Sequence, residues 1–166
     1  MAKVYLGLGS NVEPHRYLRM GIRELGQLFG VLELSNVYRS KAVGFDGADF
    51  LNLVVGLDSD LSPPEIHQHI EKLHVLAGRQ RGESRYSPRT LDIDLLLYDD
   101  LVISDAPIVL PRTDVLKYIF VLGPLAEIAP DLLHPQTGRP IAAHWAEFDK
   151  DSHPLEVADL ADSDES

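Results

Sequence analysis

Over residues 91–98 apolar and polar positions alternate with a period of two. Leu91, Ile93, Leu95 and Leu97 fall on one side, and Asp92 and Asp94, with Leu96 and Tyr98 beyond them, on the other. That is the pattern of a half-buried strand. Residues 3–8 read as a buried strand that closes in a turn cluster, Gly9-Ser10-Asn11. Leu18, Ile22, Leu25 and Phe29 recur at helical spacing, with Pro14 suited to the first turn and Gly30 placed to end the helix. A second strand is predicted over residues 31–38, a loop over 39–49 and a third strand over 50–57. Ser62-Pro63-Pro64-Glu65 has the form of a capping box, opening a helix whose apolar stripe is Ile66, Ile70, Leu73 and Ala77. After the strand at 91–98, Asp99-Asp100 reads as a turn and 101–103 as a short return strand. Residues 115–122 read as one or two helical turns, and Pro124 as the start of a last helix that Pro130 interrupts or ends. The order of strand, helix, strand, strand, helix, strand, then helices, predicts an α+β sandwich on a mainly antiparallel sheet.

The alternating strand at 91–98 carries the candidate chemistry. Two residues along a strand span about 6.5 Å, so the Asp92 and Asp94 carboxylates can converge on one point or bracket two nearby ones. The preceding segment carries Arg79, Arg81, Arg85 and Arg89 with one acid, Glu83. Carboxylates hold hard cations through oxygen, and guanidinium forks neutralise phosphate oxygens, so the pair of segments suits a metal–polyphosphate complex. Taken singly, an Asp-x-Asp face is ordinary solvated alternation and an arginine-rich loop an ordinary surface. The formal charge changes that picture. At −11 the chain is acidic, so a cluster of arginines points to a local anion rather than a general field for nucleic acid. In the third strand, Asn52 needs partners, either neighbouring backbone or a ligand's edge. His67, His69 and His74 lack zinc spacing and read as solvated.

Composition narrows the class. The 166 residues hold no cysteine, which excludes disulfides, thiolate metal sites and cysteine nucleophiles and fits a reducing cytoplasm. No apolar run has membrane-spanning length, and the N-terminus lacks the form of a signal peptide. Residues 1–155 read as one domain. Residues 156–166 carry five acids and no base, leaving −6 for the rest, and read as a disordered, solubilising tail.

Ser87-Pro88-Arg89-Thr90-Leu91-Asp92-Ile93-Asp94-Leu95-Leu96, with GLGSN at 7–11, YRSKAVGF at 38–45, FLN at 50–52, GRQR at 78–81 and FVLGPLAEIAPDLLHP at 120–135, resembles the 6-hydroxymethyl-7,8-dihydropterin pyrophosphokinases of folate biosynthesis. The resemblance spans about residues 3–145. It implies a ferredoxin-like α/β/α sandwich with a mainly antiparallel four-stranded core sheet. The implied reaction moves pyrophosphate from ATP to the pterin's hydroxymethyl oxygen, giving AMP. It further implies that Asp92 and Asp94 ligate two Mg²⁺ ions and that Arg79 and Arg89 hold the phosphates. Arg81, Tyr86, Leu95, Arg112 and Thr113 would complete the ATP site. Phe50 and Phe120, which pattern alone assigns to the core, would sandwich the pterin ring. Asn52 would bond the ring's edge, with backbone around Ser40, Ala42 and Val43 closing the pocket. The loops at 39–49 and 79–89 would be catalytic lids.

The sequence departs from the family pattern mainly on the nucleotide side. Ser87 replaces a glycine, Tyr86 stands where many members have tryptophan, and Arg112 replaces a histidine. Thr113 and Tyr118 stand for tyrosine and arginine, and His74 replaces a glutamate. Two other classes compete. A binding module without turnover would have no need for the Asp92–Asp94 pair. An RNA-binding α+β domain fits neither the acidic charge nor the 7% aromatic content. The expected partners are therefore small molecules rather than nucleic acid or membrane, in a cytoplasmic monomer or weak dimer.

Overall fold

The computed structural model describes residues 1–41, 47–78, 90–151 and 155–160. Strand β1 (Ala2–Ser10) lies one in from the edge of a six-stranded sheet. On one side it pairs along its whole length with β4 (Phe50–Ser59), and on the other with β5 (Asp92–Tyr98). β3 (Val37–Ser40) and β2 (Glu33–Leu34) both pair with β4, and β8 (Glu156–Ala158) adds outside β3. Every pairing among the described residues is antiparallel. Helices α1 (Pro14–Phe29) and α2 (Pro63–Leu76) connect these strands. The core order β5-β1-β4-β3 is the fourth-first-third-second arrangement of a ferredoxin-like fold, as the sequence led one to expect.

Both faces of the sheet are covered. Val4, Leu6, Leu8, Leu53, Val55, Ile93 and Leu95 pack against Leu18 and Leu25 of α1 and Ile66, Ile70 and Leu73 of α2. On the opposite face Tyr5, Val54, Leu96 and Leu97 meet α4 (Ile119–Ile128) through Val121, Leu122 and Leu125, and α5 (Ile141–Glu147) through Ile141. Each fully buried leucine contributes about 2 kcal/mol of transfer free energy, so these two layers supply the main drive to fold.

Several elements differ from the sequence reading, each for a local reason. The predicted strand at 31–38 is two short strands. Ser35 breaks it, because its Oγ accepts from Val54 N (2.9 Å) and donates to Asn36 O (2.8 Å), replacing a regular ladder rung. In β5 the register against β1 shifts between Tyr5 and Leu6. This irregularity ends the alternation, so Leu97 joins Leu96 on the α4 face, while Tyr98 packs on the other and donates to Leu61 O (2.8 Å). Gly9 and Ser10 belong to β1 rather than to a turn. No return strand forms at 101–103. Instead β6 (Ile103–Asp105) pairs with β7 (Ile108–Leu110) as a separate ribbon. Pro124 lies inside α4 rather than at its start, since that helix already begins at Ile119, after the short α3 (Asp114–Lys117). The first three residues of the acidic segment, Glu156–Ala158, form β8. Among the described residues no helix is long and apolar enough to cross a membrane.

Candidate active site

The site begins with two glycines in an inner strand. In β1, Gly7 lies opposite Asp94 and Gly9 opposite Asp92, while on the β4 side Gly9 faces Asn52. With no side chains at these two points, the sheet has a bare floor between the carboxylates of β5 and the amide of β4. The space is tight. A Cβ on Gly9 would lie 2.9 Å from Asn52 Oδ1, and one on Gly7 would touch Leu96 at 3.4 Å.

Over this floor opens a cavity of about 130 Å³. Phe50 at the start of β4 and Phe120 in α4 supply aromatic walls, joined by Tyr118; Asn52, Ser40, Lys41, Asp92, Asp94 and Asp114 supply the polar ones. Tyr118 stacks on Phe120 with centroids 5.0 Å apart and rings inclined by 17°, and Lys117 Nζ lies 5.1 Å from the Tyr118 ring. Asn52 is only 7% exposed. Its Nδ2 donates to Ser40 Oγ at 2.7 Å, which aligns the amide and anchors the end of β3 where the 39–49 loop departs. Farther along that loop Asn11 Nδ2 donates to Ala48 O at 3.1 Å. An aromatic-walled cavity with one oriented amide suits a planar heterocycle carrying hydrogen-bonding edges.

A second cavity, about 180 Å³, wraps the outer edge of β5. His67, Glu71 and His74 of α2 line one side, residues 107–110 and Arg112 another, and Asp92, Ile93, Asp94 and Leu95 the strand itself. Asp92 and Asp94 therefore belong to both cavities. Their side chains are 38% and 30% exposed, open enough to meet solutes from either side. Among the described residues no three His, Cys, Asp or Glu side chains converge as a preformed metal cage. A pair of accessible carboxylates nevertheless fits Mg²⁺, which keeps much of its shell for water and phosphate oxygens.

Arg112 sits beside the pair. Its backbone N–H donates to Leu96 O (2.9 Å), its Nη2 lies 3.5 Å from Asp94 Oδ1 and its Nε 3.4 Å from Asp114 Oδ1. Nε is buried yet closes no hydrogen bond, so the Asp114 contact is one of charge rather than of aligned donation. Burial works against the Arg112 charge, but the Asp94, Asp114 and Asp92 carboxylates outweigh it and hold its pKa above the ordinary arginine value.

His74 is not solvated, contrary to the sequence expectation. It is 3% exposed, its Nε2 accepts from Ile93 N at 2.9 Å, and its Nδ1 lies 3.3 Å from Glu71 Oε1. It thus ties α2 to the strand between the two aspartates. Its position four residues after Ile70 places it on the buried stripe, a signal present in the helical spacing. His69 is half-buried and meets Phe29 edge-on at 6.3 Å.

Of the other expected site residues, Leu95 and Arg112 line the second cavity. Thr113 is exposed at the N-cap of α3 and lines neither cavity. Ala42, Val43, Arg79, Arg81, Tyr86 and Arg89 lie outside the described residues. Residues flanking the arginine segment are tied together, since Thr90 Oγ1 donates to Ala77 O at 2.6 Å. Lys41, Asp114 and His67 were not singled out for the site by sequence, whereas His74 was placed on the nucleotide side by its departure from the family pattern.

Likeness to known proteins bears on the family. Residues 5–130 match the sequence model of the 7,8-dihydro-6-hydroxymethylpterin-pyrophosphokinases. The 2-amino-4-hydroxy-6-hydroxymethyldihydropteridine pyrophosphokinase of Aquifex aeolicus is 38% identical over 143 residues, covering 85% of this chain and 89% of that one. The protein of that name from Synechocystis is 40% identical over 139 residues, covering 82% and 71%. The wild-type HPPK-DHPS crystal structure from Plasmodium falciparum superposes with a TM-score of 0.71 at 11% identity, over 88% of this chain and 44% of that larger one; at that identity the likeness speaks for the fold. The extent of the sequence match places this chain in the 7,8-dihydro-6-hydroxymethylpterin-pyrophosphokinase family.

Proposed function

We propose that the chain transfers pyrophosphate from ATP to the hydroxymethyl oxygen of 6-hydroxymethyl-7,8-dihydropterin, releasing AMP and the pterin diphosphate used in folate biosynthesis. The family and the names of its relatives support the reaction. The observation that carries it is the position of Asp92 and Asp94 on the wall shared by an aromatic slot and a second, polar cavity. A substrate on each side of such a wall has its reacting end at the same two carboxylates.

In this reading Phe50 and Phe120 hold the pterin faces, and Asn52, aligned by Ser40, reads its edge. Ala42 and Val43 close that pocket with their backbone. Asp92 and Asp94 are the ligands for Mg²⁺, and two such ions supply charge neutralisation along the triphosphate when bound. The nucleotide occupies the second cavity beside Leu95, Arg112 and Thr113, with Arg79, Arg81, Tyr86 and Arg89 closing on the phosphates from the neighbouring segment. The hydroxymethyl oxygen attacks the β-phosphorus, and the bond from that phosphorus to the oxygen shared with the α-phosphate breaks. Positioning and charge management carry the catalysis, without a covalent nucleophile. The working unit is a monomer or weak dimer, and the absence of cysteine suits the cytoplasm.

Product identity tests the proposal. Incubation with ATP, Mg²⁺ and the pterin should give AMP and pterin diphosphate in equal amounts. Formation of ADP with a pterin monophosphate would contradict it.

A further inference from the structure

Arg112 holds a cation at the place where the proposed function needs another one. Its guanidinium lies 3.5 Å from Asp94 and 3.4 Å from Asp114. Both separations exceed the roughly 2.7–2.9 Å of a tight charge-assisted hydrogen bond. The group is therefore held mainly by charge, and Nε makes no well-aligned hydrogen bond. The residue lines the second cavity while Asp114 lines the first. Because Arg112 already lines the second cavity, release from Asp94 frees its guanidinium for an anion there while Asp114 stays beside its charge. The backbone bond from Arg112 N to Leu96 O fixes the base of the movement.

We propose that Arg112 is an exchangeable internal counter-ion: it neutralises Asp94 in the substrate-free protein, yields that carboxylate to a divalent cation, and turns its guanidinium onto the oxygens of the polyphosphate that arrives with the metal. The inference rests on the assignment of Asp94 as a metal ligand. It accounts for an always-charged, bidentate side chain at this point. A guanidinium can serve a carboxylate and then a phosphate with the same fork, whereas it cannot share one carboxylate oxygen with Mg²⁺ without repulsion. The exchange makes bare metal bind weakly and metal with polyphosphate bind well, so the carboxylates are not loaded by free cation ahead of the nucleotide.

The test measures Mn²⁺ binding to the nucleotide-free protein by the paramagnetic resonance signal of free Mn²⁺. Arg112→Gln should bind Mn²⁺ about tenfold more tightly than wild type, because a unit positive charge has left the neighbourhood of the ion. Arg112→Lys, which keeps the charge, should bind like wild type. The gap between Arg112→Gln and wild type should narrow as salt rises from about 50 to about 500 mM. In the presence of Mg²⁺, the same Gln variant should bind a non-hydrolysable ATP analogue about tenfold more weakly. If Arg112→Gln does not fold, Arg112→His at about pH 8, where the ring is neutral, serves the same comparison. Unchanged or weaker Mn²⁺ binding in the neutral variant overturns the exchange. Asp94→Asn separates this from the underlying assignment. Loss of Mn²⁺ binding in Asp94→Asn with no effect of Arg112→Gln rejects only the exchange. Mn²⁺ binding indifferent to Asp94→Asn rejects the metal assignment and the exchange together.

Discussion

Gly9 shows how one hydrogen in place of a side chain shapes the site. It lies opposite both Asp92 and Asn52, and an added methyl would meet Asn52 Oδ1 at 2.9 Å. The amide is buried and tied to Ser40, so the methyl must push it off its alignment. Gly9→Ala should raise the KM for the pterin about tenfold while the KM for ATP stays within about twofold; an equal rise in both would show that the strand, rather than the amide, had moved. Phe120→Ala should likewise weaken pterin binding by tenfold or more in calorimetry, with ATP binding little changed, since a stacked ring contributes about 1 kcal/mol beyond its buried area. Equal losses would make Phe120 a core residue. These residues differ in how far sequence discloses them. Asp92, Asp94 and Asn52 stand out by spacing or by polarity in an apolar run. The floor made by Gly7 and Gly9 does not, because it exists only once β5 and β4 are registered on either side of β1. His74 was read as solvated, although its spacing four residues after Ile70 puts it on the stripe that is buried.

Elements were legible where local chemistry decides them. The capping box of α2 forms as its residues dictate, with Ser62 N donating to Glu65 Oε1 at 2.9 Å and Glu65 N to Ser62 Oγ at 3.4 Å. What sequence left out depends on distant partners. Ser35 breaks a strand because Val54 is beside it, α5 is a seven-residue helix held against α4, and β8 exists only as a neighbour of β3. The last of these bears on the site. β8 pairs with residues 37–39, one step before Ser40. Leu155 reaches so close that a Cβ on Gly123 would meet its Cδ1 at 2.6 Å, while Arg19 Nη1 donates to Leu160 O at 3.3 Å. The C-terminal segment thus braces the sheet edge that leads to Ser40 and the first cavity. Removing residues 155–166 should lower Tm by about 5–10 °C, the effect of losing a few buried apolar side chains. Unfolding can be followed through Trp145, the only tryptophan, which stacks beside Phe148 at 6.4 Å. An unchanged Tm would mean that the brace contributes nothing.

At the scale of the whole molecule, acid stability has an identifiable source. His134 is 3% exposed, and its Nδ1 accepts from Gln136 N (3.2 Å) and Thr137 N (3.4 Å). Burial, and then the neighbouring His144 ring 5.7 Å away, lower its pKa below the ordinary histidine value. Above about pH 6.5 the ring is neutral in both the folded and unfolded chain, and its bonds are fully available. As pH falls through that value the unfolded chain takes up the proton first, so stability declines until the folded pKa is passed. Glu65 and Glu147, whose carboxyls are held below their ordinary value of 4.5 by hydrogen bonds from Ser62 and Arg139, act at lower pH. Between about pH 7 and pH 5, wild-type Tm should therefore fall more steeply than that of His134→Asn, whose side-chain oxygen can still accept the two N–H groups; parallel curves would contradict the assignment. The central claim is that a pterin slot and a nucleotide cavity meet at two carboxylates, and it is tested most directly by the rate of AMP release from ATP and Mg²⁺. The account predicts release that depends on 6-hydroxymethyl-7,8-dihydropterin and falls at least 1,000-fold (roughly 4 kcal/mol of barrier) in Asp92→Ala. AMP release that ignores the pterin, or survives in Asp92→Ala, would contradict it.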